Sequence, residues 1–168
     1  MAPREVEVVD GALGGRVDAA SEPRDLGVGA QPALERVLAV LREQRVVRVV
    51  VDAAGHGIVA FRTSGSGLAT PDAYQTAPGG GEDALLTRFD PNGNRIWATY
   101  YGGIQLEEGR AVATDPSGNV YLAGVTRSTT LISTPGSHLA AAPANRNAFL
   151  AKFNSAGVRL WATYYGGS

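Results

Sequence analysis

The acidic residues with the right types for chemistry come in two neighbouring pairs, Glu82-Asp83 and Glu107-Glu108. Two carboxylates can act as acid and base on a glycosidic bond when a fold holds them across a cleft at a set separation. Adjacent residues on a strand point to opposite faces, so neither pair is such a constellation by itself. Both pairs are expected in solvated loops. The two histidines, His56 and His138, stand in different parts of the chain. Neither has an HExxH context or a second histidine at ligand spacing, so they point to no metal site.

Two turn sequences look most like ion sites. Asp90-Pro91-Asn92-Gly93-Asn94 and Asp115-Pro116-Ser117-Gly118-Asn119 place oxygen ligands at alternate positions. A calcium loop of the EF-hand type also needs glycine at its sixth position and an acid at its twelfth. Here those positions hold Arg95 and Tyr101 in the first loop, Val120 and Thr126 in the second. The residues suit tight turns instead: aspartate caps, proline sets the first central residue, and glycine takes positive φ. Ser64, Ser66, Ser128 and Ser137 lack the strand–turn–helix setting of a nucleophile elbow. Gly79-Gly80-Gly81 lacks the Gly-Lys-Ser/Thr of a phosphate loop. No catalytic, cofactor-binding or metal-ligating residue is assigned, and no cofactor is expected.

Composition agrees with a fold of short strands and turns. The 168 residues include 22 glycines and no cysteine, which excludes disulfides and thiolate metal sites. A formal net charge of -1 gives no general attraction to nucleic acid. Arg42, Arg45 and Arg48 are expected to pair locally. No apolar run is long enough to span a bilayer as a helix. Met1 to Glu7 lacks the apolar core of a signal peptide.

The elements that must position these residues follow from periodicity. Glu5 to Val9 alternates charged and apolar residues like a short strand, and about 10–31 reads as loop. Pro32 to Gln44 places Leu34, Val37, Leu38 and Leu41 on one stripe, which predicts an amphipathic helix over about 32–44. From Val46 the pattern changes to strands: 46–51, 57–63, 84–90 and 95–101, then 110–114, 119–126, 147–154 and 158–165. Long loops are expected at about 64–83 and 127–146.

The second set of strands repeats the first. Ile96-Trp97-Ala98-Thr99-Tyr100-Tyr101-Gly102-Gly103 recurs as Leu160-Trp161-Ala162-Thr163-Tyr164-Tyr165-Gly166-Gly167, 64 residues on. Asp52 with Gly55 matches Asp115 with Gly118, Thr70-Pro71 matches Thr134-Pro135, and Arg88-Phe89 matches Lys152-Phe153. A long fixed period means a repeat architecture, and four antiparallel strands per unit is the blade of a β-propeller. Trp97, Thr99 and Tyr101 share one face, as do Trp161, Thr163 and Tyr165. These aromatics are a candidate sugar platform, but packing between neighbouring blades is the commoner use of such rings.

At this level the chain resembles a known family. Asp115-x-x-Gly118-Asn119-Val120-Tyr121-Leu122-Ala123-Gly124-x-Thr126-x-Ser128, then Asn147 to Asn154, Gly157, and Trp161-x-Thr163-Tyr164-x-Gly166-Gly167 are similar to the bacterial SBBP-type β-propeller repeat. The likeness covers about 104–167 well and about 46–103 more weakly. In the weaker copy His56 replaces the asparagine, Phe61 the glycine and Gly65 the serine. The resemblance implies an all-β fold of propeller-like four-stranded blades, in two repeats that make an incomplete ring. It also implies a secreted or cell-surface setting, and it brings no catalytic motif.

The expected organisation is an N-terminal segment over 1–45, a degenerate repeat over 46–103 and a second repeat over 104–168. The expected function is a non-catalytic scaffold or binding module, with a protein or glycan ligand at the long loops, where repeat proteins gather insertions. Two alternatives stand beside it. One is a part of a larger hydrolase or lyase acting on polysaccharide, whose site forms only in the complete ring. The other is a fragment without activity of its own. Two blades leave open faces, so further blades, self-association or a covering helix are expected to meet them. Neither a nucleic-acid partner nor a membrane span is expected.

Overall fold

The computed structural model describes the backbone of residues 8–10 and 46–167, and side chains from residue 48 to 167. The helix expected over 32–44, and Arg42 and Arg45 with it, lie outside the described residues. Nine strands are described: β1 (Val8–Asp10), β2 (Val46–Val51), β3 (Gly57–Thr63), β4 (Asp83–Phe89), β5 (Arg95–Tyr101), β6 (Glu107–Thr114), β7 (Val120–Thr126), β8 (Asn147–Phe153) and β9 (Arg159–Tyr165). They form two sheets, ordered β1-β2-β3-β4-β5 and β6-β7-β8-β9. Within β2–β5 and within β6–β9 every pairing is antiparallel. β1 adds to β2 in parallel, Val8 opposite Val49. These are two blade-like sheets of four strands, as the repeat predicts.

The two sheets repeat even in their irregularities. A register shift falls between Arg88 and Phe89 on β4 and again between Lys152 and Phe153 on β8. The four hairpin turns are one device used four times. Asp52, Asp90, Asp115 and Asn154 each accept, through Oδ1, from backbone N–H groups two and four residues on. The glycine three residues on has φ of 82°, 83°, 75° and 82° in turn. That left-handed backbone is costly for a residue with a Cβ.

The long loops do not stand free of the sheets. Thr70 N donates to Ala98 O at 2.9 Å, and Tyr100 N to Gln75 O at 3.1 Å. The second loop repeats this with Thr134 N to Ala162 O at 2.8 Å and Tyr164 N to Leu139 O at 3.1 Å. Each loop therefore runs along the last strand of its own sheet and covers that edge, where bare N–H and C=O groups would invite another strand.

The main core lies between the sheets. Ile58, Ala60, Leu86, Trp97 and Tyr101 of the first face Val120, Leu122, Phe149, Phe153 and Tyr164 of the second. A second cluster of Val49, Val59, Phe61, Leu85 and Tyr100 occupies the other face of the first sheet. There the two copies exchange volume. Phe61 is paired with Leu85, whereas Gly124 is paired with Phe149. A Cβ on Gly124 would lie 2.8 Å from two ring carbons of Phe149 and closer still to the carbonyl oxygen of Glu108. The bulky ring sits on the third strand in one copy and on the second strand in the other. This explains why phenylalanine stands at 61 where the repeat pattern has glycine.

Candidate functional site

The largest set of chemically distinctive side chains lies where the first sheet meets the second. Arg88 on β4 and Trp97 on β5 are cross-strand partners that face the second sheet. Arg88 Nη1 donates to the carbonyls of Gly118 at 3.0 Å and Ser155 at 3.4 Å. Its Nη2 donates to Asp52 Oδ2 at 2.6 Å and lies 3.1 Å from His56 Nδ1. The guanidinium is buried and both its terminal nitrogens are engaged, which suits its fixed fork of donors. Trp97 Nε1 donates to Ser155 O at 2.9 Å, and its ring lies against Gly157, where a Cβ would be 2.8 Å away. The first sheet thus reads the two turns of the second through an arginine and a tryptophan.

His56 belongs to this structural cluster, with Nδ1 3.1 Å from each oxygen of Asp52. Asn119 does the same for Asp115, donating from Nδ2 to Oδ2 at 2.7 Å. The replacement of asparagine by histidine therefore keeps the turn's extra hydrogen bond. At Asp52, burial pushes the pKa up, but bonds from the His56 backbone and side chain outweigh it and hold it below its ordinary value.

The same positions on the second sheet face outward. Lys152, Trp161, Thr163 and Tyr165 match Arg88, Trp97, Thr99 and Tyr101. Trp97 is 6% exposed and Tyr101 0%, whereas Trp161 is 36% exposed and Tyr165 69%. Tyr121 packs edge-on to Trp161, with ring centroids 6.3 Å apart, and Lys152 Nζ stands 4.9 Å over the Tyr121 ring. Lys152 also pairs with Asp115 at 3.5 Å, as Arg88 pairs with Asp52. His138 stacks on Tyr165 at 6.3 Å, so the two histidines are used apart from each other. The first aromatic set is buried between sheets, as expected. The second lies on an open face.

The acidic pairs require a correction. Asp83 and Glu107 were expected in solvated loops and are both fully buried. β6 begins at Glu107 rather than Arg110, because Glu107 N donates to Glu82 O at 2.7 Å and strand pairing runs on to Glu107 opposite Thr126. One member of each pair turns inward, and the two meet at the junction between sheets. Glu107 accepts from Gly103 N at 2.7 Å, Thr126 Oγ1 at 2.6 Å and Ser128 N at 3.2 Å. Asp83 accepts through Oδ2 from Gly79 N and from Gln75 Nε2 at 3.3 Å. Burial, and then the Glu107 carboxylate, push the Asp83 pKa up to about 6. Glu82 and Glu108 remain outside, paired with Arg62 and Arg110, each at 3.2 Å. A sequence signal existed: each pair stands where an apolar strand begins, and the inward residue of such a pair must find donors.

Ser137 Oγ is buried without a hydrogen-bond partner. Ser128 Oγ accepts from Gln105 N at 2.9 Å, and Gly65-Ser66-Gly67 lies in the edge-covering loop. Among the described residues no group of three or more histidine, aspartate or glutamate side chains is placed to hold a metal. A shallow cleft of about 240 Å³ lies between Thr70, Asp72, Ile96, Trp97 and Gly157. It is below the ~300 Å³ at which ligand pockets usually begin. Among the described residues no helix is long and apolar enough to cross a membrane.

Two stacked four-stranded antiparallel sheets, joined by a glycine pair and repeating their turns and bulges, define a propeller-type repeat module. The family comparison is specific to the junction: residues 96–136 match the SBBP beta-propeller repeat. The match starts in β5, crosses Gly102-Gly103, takes in β6 and β7 and ends in the second edge-covering loop. No curated protein matches the chain.

Proposed function

We propose that the chain is a non-catalytic scaffold module whose binding surface is the outer face of the second sheet, and that its partner there is a further blade of the same repeat type. The observation that carries this reading is the equivalence of the outward face of the second sheet to the buried contact face of the first. Ala60, Ala84, Leu86, Trp97, Thr99 and Tyr101 form the contact face of the first sheet. Ala123, Ala148, Leu150, Trp161, Thr163 and Tyr165 are the same residues at the same positions of the second. Six identical residues support a partner of similar shape there, while Ile58 and Arg88 of the first face are Tyr121 and Lys152 on the second. Trp161 would lie against a glycine turn and donate to its carbonyl, as Trp97 does at Gly157 and Ser155.

The long loops support this better than they support a free ligand-binding rim. Their backbones are engaged on the edges of β5 and β9, and their exposed residues are left as the second candidate contact for a protein or glycan. The test is to append a third copy of residues 104–167 after Gly167, with the tryptophan of that copy replaced by phenylalanine. Trp161 should then become inaccessible to acrylamide and its emission should move to shorter wavelength. Unchanged quenching of Trp161 would reject the proposal.

A further inference from the structure

The buried carboxyl groups of Asp83 and Glu107 are not used by the stacking face; they accept from the edge loops at Gln75, Gly79 and Ser128. Three of their four oxygens have donors, as described above. The fourth, Asp83 Oδ1, is buried and has no partner. It and Glu107 Oε2 converge on Gly102, where a Cβ would collide with both. An unpaired carboxylate oxygen beside a second carboxylate, away from water, lacks one thing: a proton between them. Two like charges so placed cannot both ionise without a large penalty, and a shared proton turns the repulsion into a charge-assisted hydrogen bond.

We propose that Asp83 and Glu107 share one proton and form a latch between the two sheets that is closed in mild acid and loosened as the surroundings become neutral. Glu107 is the charged member, because three donors reach it against two for Asp83. The proton resides on Asp83. The second repeat has Asn147 at the place of Asp83, a neutral residue of the same shape as protonated aspartate. The latch holds the hand-over of the chain between sheets. Gly102 N donates to Gln75 Oε1 at 3.1 Å and Gly103 N to Glu107 at 2.7 Å, so both linker amides depend on this cluster.

The groups facing the pair come from every element around it. The first edge loop supplies Gln75 and Gly79, the linker Gly102 and Gly103, the end of β7 Thr126, and the start of the second edge loop Ser128. The Tyr164 hydroxyl on β9 feels the Glu107 charge. Glu82 is held outward by Arg62. The sign follows from linkage. Burial first, and Glu107 next among the causes that raise it, lift Asp83 from its ordinary 3.8 to about 6, so the folded chain binds the proton that the unfolded chain releases between those values. The contribution of Asp83 to stability is greatest below the ordinary value, falls as pH rises toward about 6, and is level above it.

The experiment follows the full chain by thermal unfolding and by NMR of labelled aspartate carboxyl carbons, from about pH 4 to 8. The Asp83 resonance, assigned by its loss in Asp83→Asn, should titrate near the raised value. Glu107→Gln should move that midpoint toward the ordinary aspartate range, a response that a merely structural role would not produce. Asp83→Asn should remove a roughly hundredfold pH-dependent change in the folding constant and should unfold at higher temperature than the parent at neutral pH. If Asp83→Asn fails to fold, sequential assignment of the parent still reports the Asp83 midpoint. Titration of Asp83 in the ordinary range overturns the latch. So does a parent chain stabilised by added calcium but not by acid, since a cation would then hold the pair.

Discussion

Trp97 and Trp161 offer one residue type at one position of one repeated strand, differing in whether a neighbour covers it. Replacing each by alanine measures that neighbour directly. Trp97 is 6% exposed, packs on the Gly157 turn and donates to Ser155 O. Truncating a buried tryptophan costs about 3–5 kcal/mol, from lost burial together with the cavity left behind. The lost hydrogen bond to Ser155 adds ~1 kcal/mol. Trp161 is 36% exposed, keeps only its contact with Tyr121 and its own sheet, and leaves no closed cavity when removed. Its loss should cost about 1–2 kcal/mol on the same area scale. The gap of at least ~2 kcal/mol corresponds to a difference of roughly 4–8 °C in unfolding temperature for a domain of this size. Urea unfolding of the two variants, each retaining a single tryptophan as reporter, gives both values. Equal costs would refute the account of Trp97 as the anchor of one sheet on the other. A larger cost at Trp161 would mean that its face is covered in the parent chain.

Two further predictions rest on the repeat itself. Gly124→Ala should destabilise the chain by about 1–3 kcal/mol or more, because its Cβ strikes both the Phe149 ring and a fixed carbonyl. Adding Phe149→Leu should recover part of that loss, and a double-mutant cycle with no coupling would reject the volume exchange. The turn aspartates oppose Asp83 in sign. Side-chain bonds from Asn94 and Asn119 head the causes that hold Asp90 and Asp115 below their ordinary pKa, so their stabilisation is present above that ordinary value and is lost as pH falls through the lowered one. Asn94→Ala and Asn119→Ala should weaken this acid limb and leave the window near pH 6 unchanged; an altered Asp83 window in their melting profiles would contradict it.

The strands, turns and repeat were legible because each has a local cause. β-branched runs, period-two alternation and an Asp-x-x-Gly turn need only a few neighbouring residues to declare themselves, and the boundaries of β2, β3 and β5 coincide with expectation. The buried carboxyl pair was hidden because its two members lie 24 residues apart and come together only through the packing of the sheets. Glu82-Asp83 and Glu107-Glu108 look like solvent-facing acids until the strand direction fixes which member turns inward. The role of the long loops was hidden for a related reason. Gly- and Pro-rich sequence gives the absence of a strand, but not the edge along which the loop lies.

The contact between the sheets joins two unlike surfaces. One side offers donors, the Arg88 fork and the Trp97 N–H; the other offers the carbonyls of Gly118 and Ser155 in two turns. Such a contact is heterologous, so it propagates in one direction and does not pair a face with itself. On the outer face of the second sheet the arginine has become Lys152. An ammonium is a compact point charge, already placed between Asp115 and the Tyr121 ring, and cannot span two carbonyls as a planar fork does. A third blade stacked there should therefore be held less firmly than the second sheet is held by the first. In the chain extended by a third repeat, Lys152→Arg should restore the fork and raise the stability of the added blade by about 1 kcal/mol, the worth of one hydrogen bond. The same change in the unextended chain should be close to neutral, as expected of a partly exposed ion pair. An equal effect in both chains would show that residue 152 acts within its own sheet, and the directional stacking argument would fail.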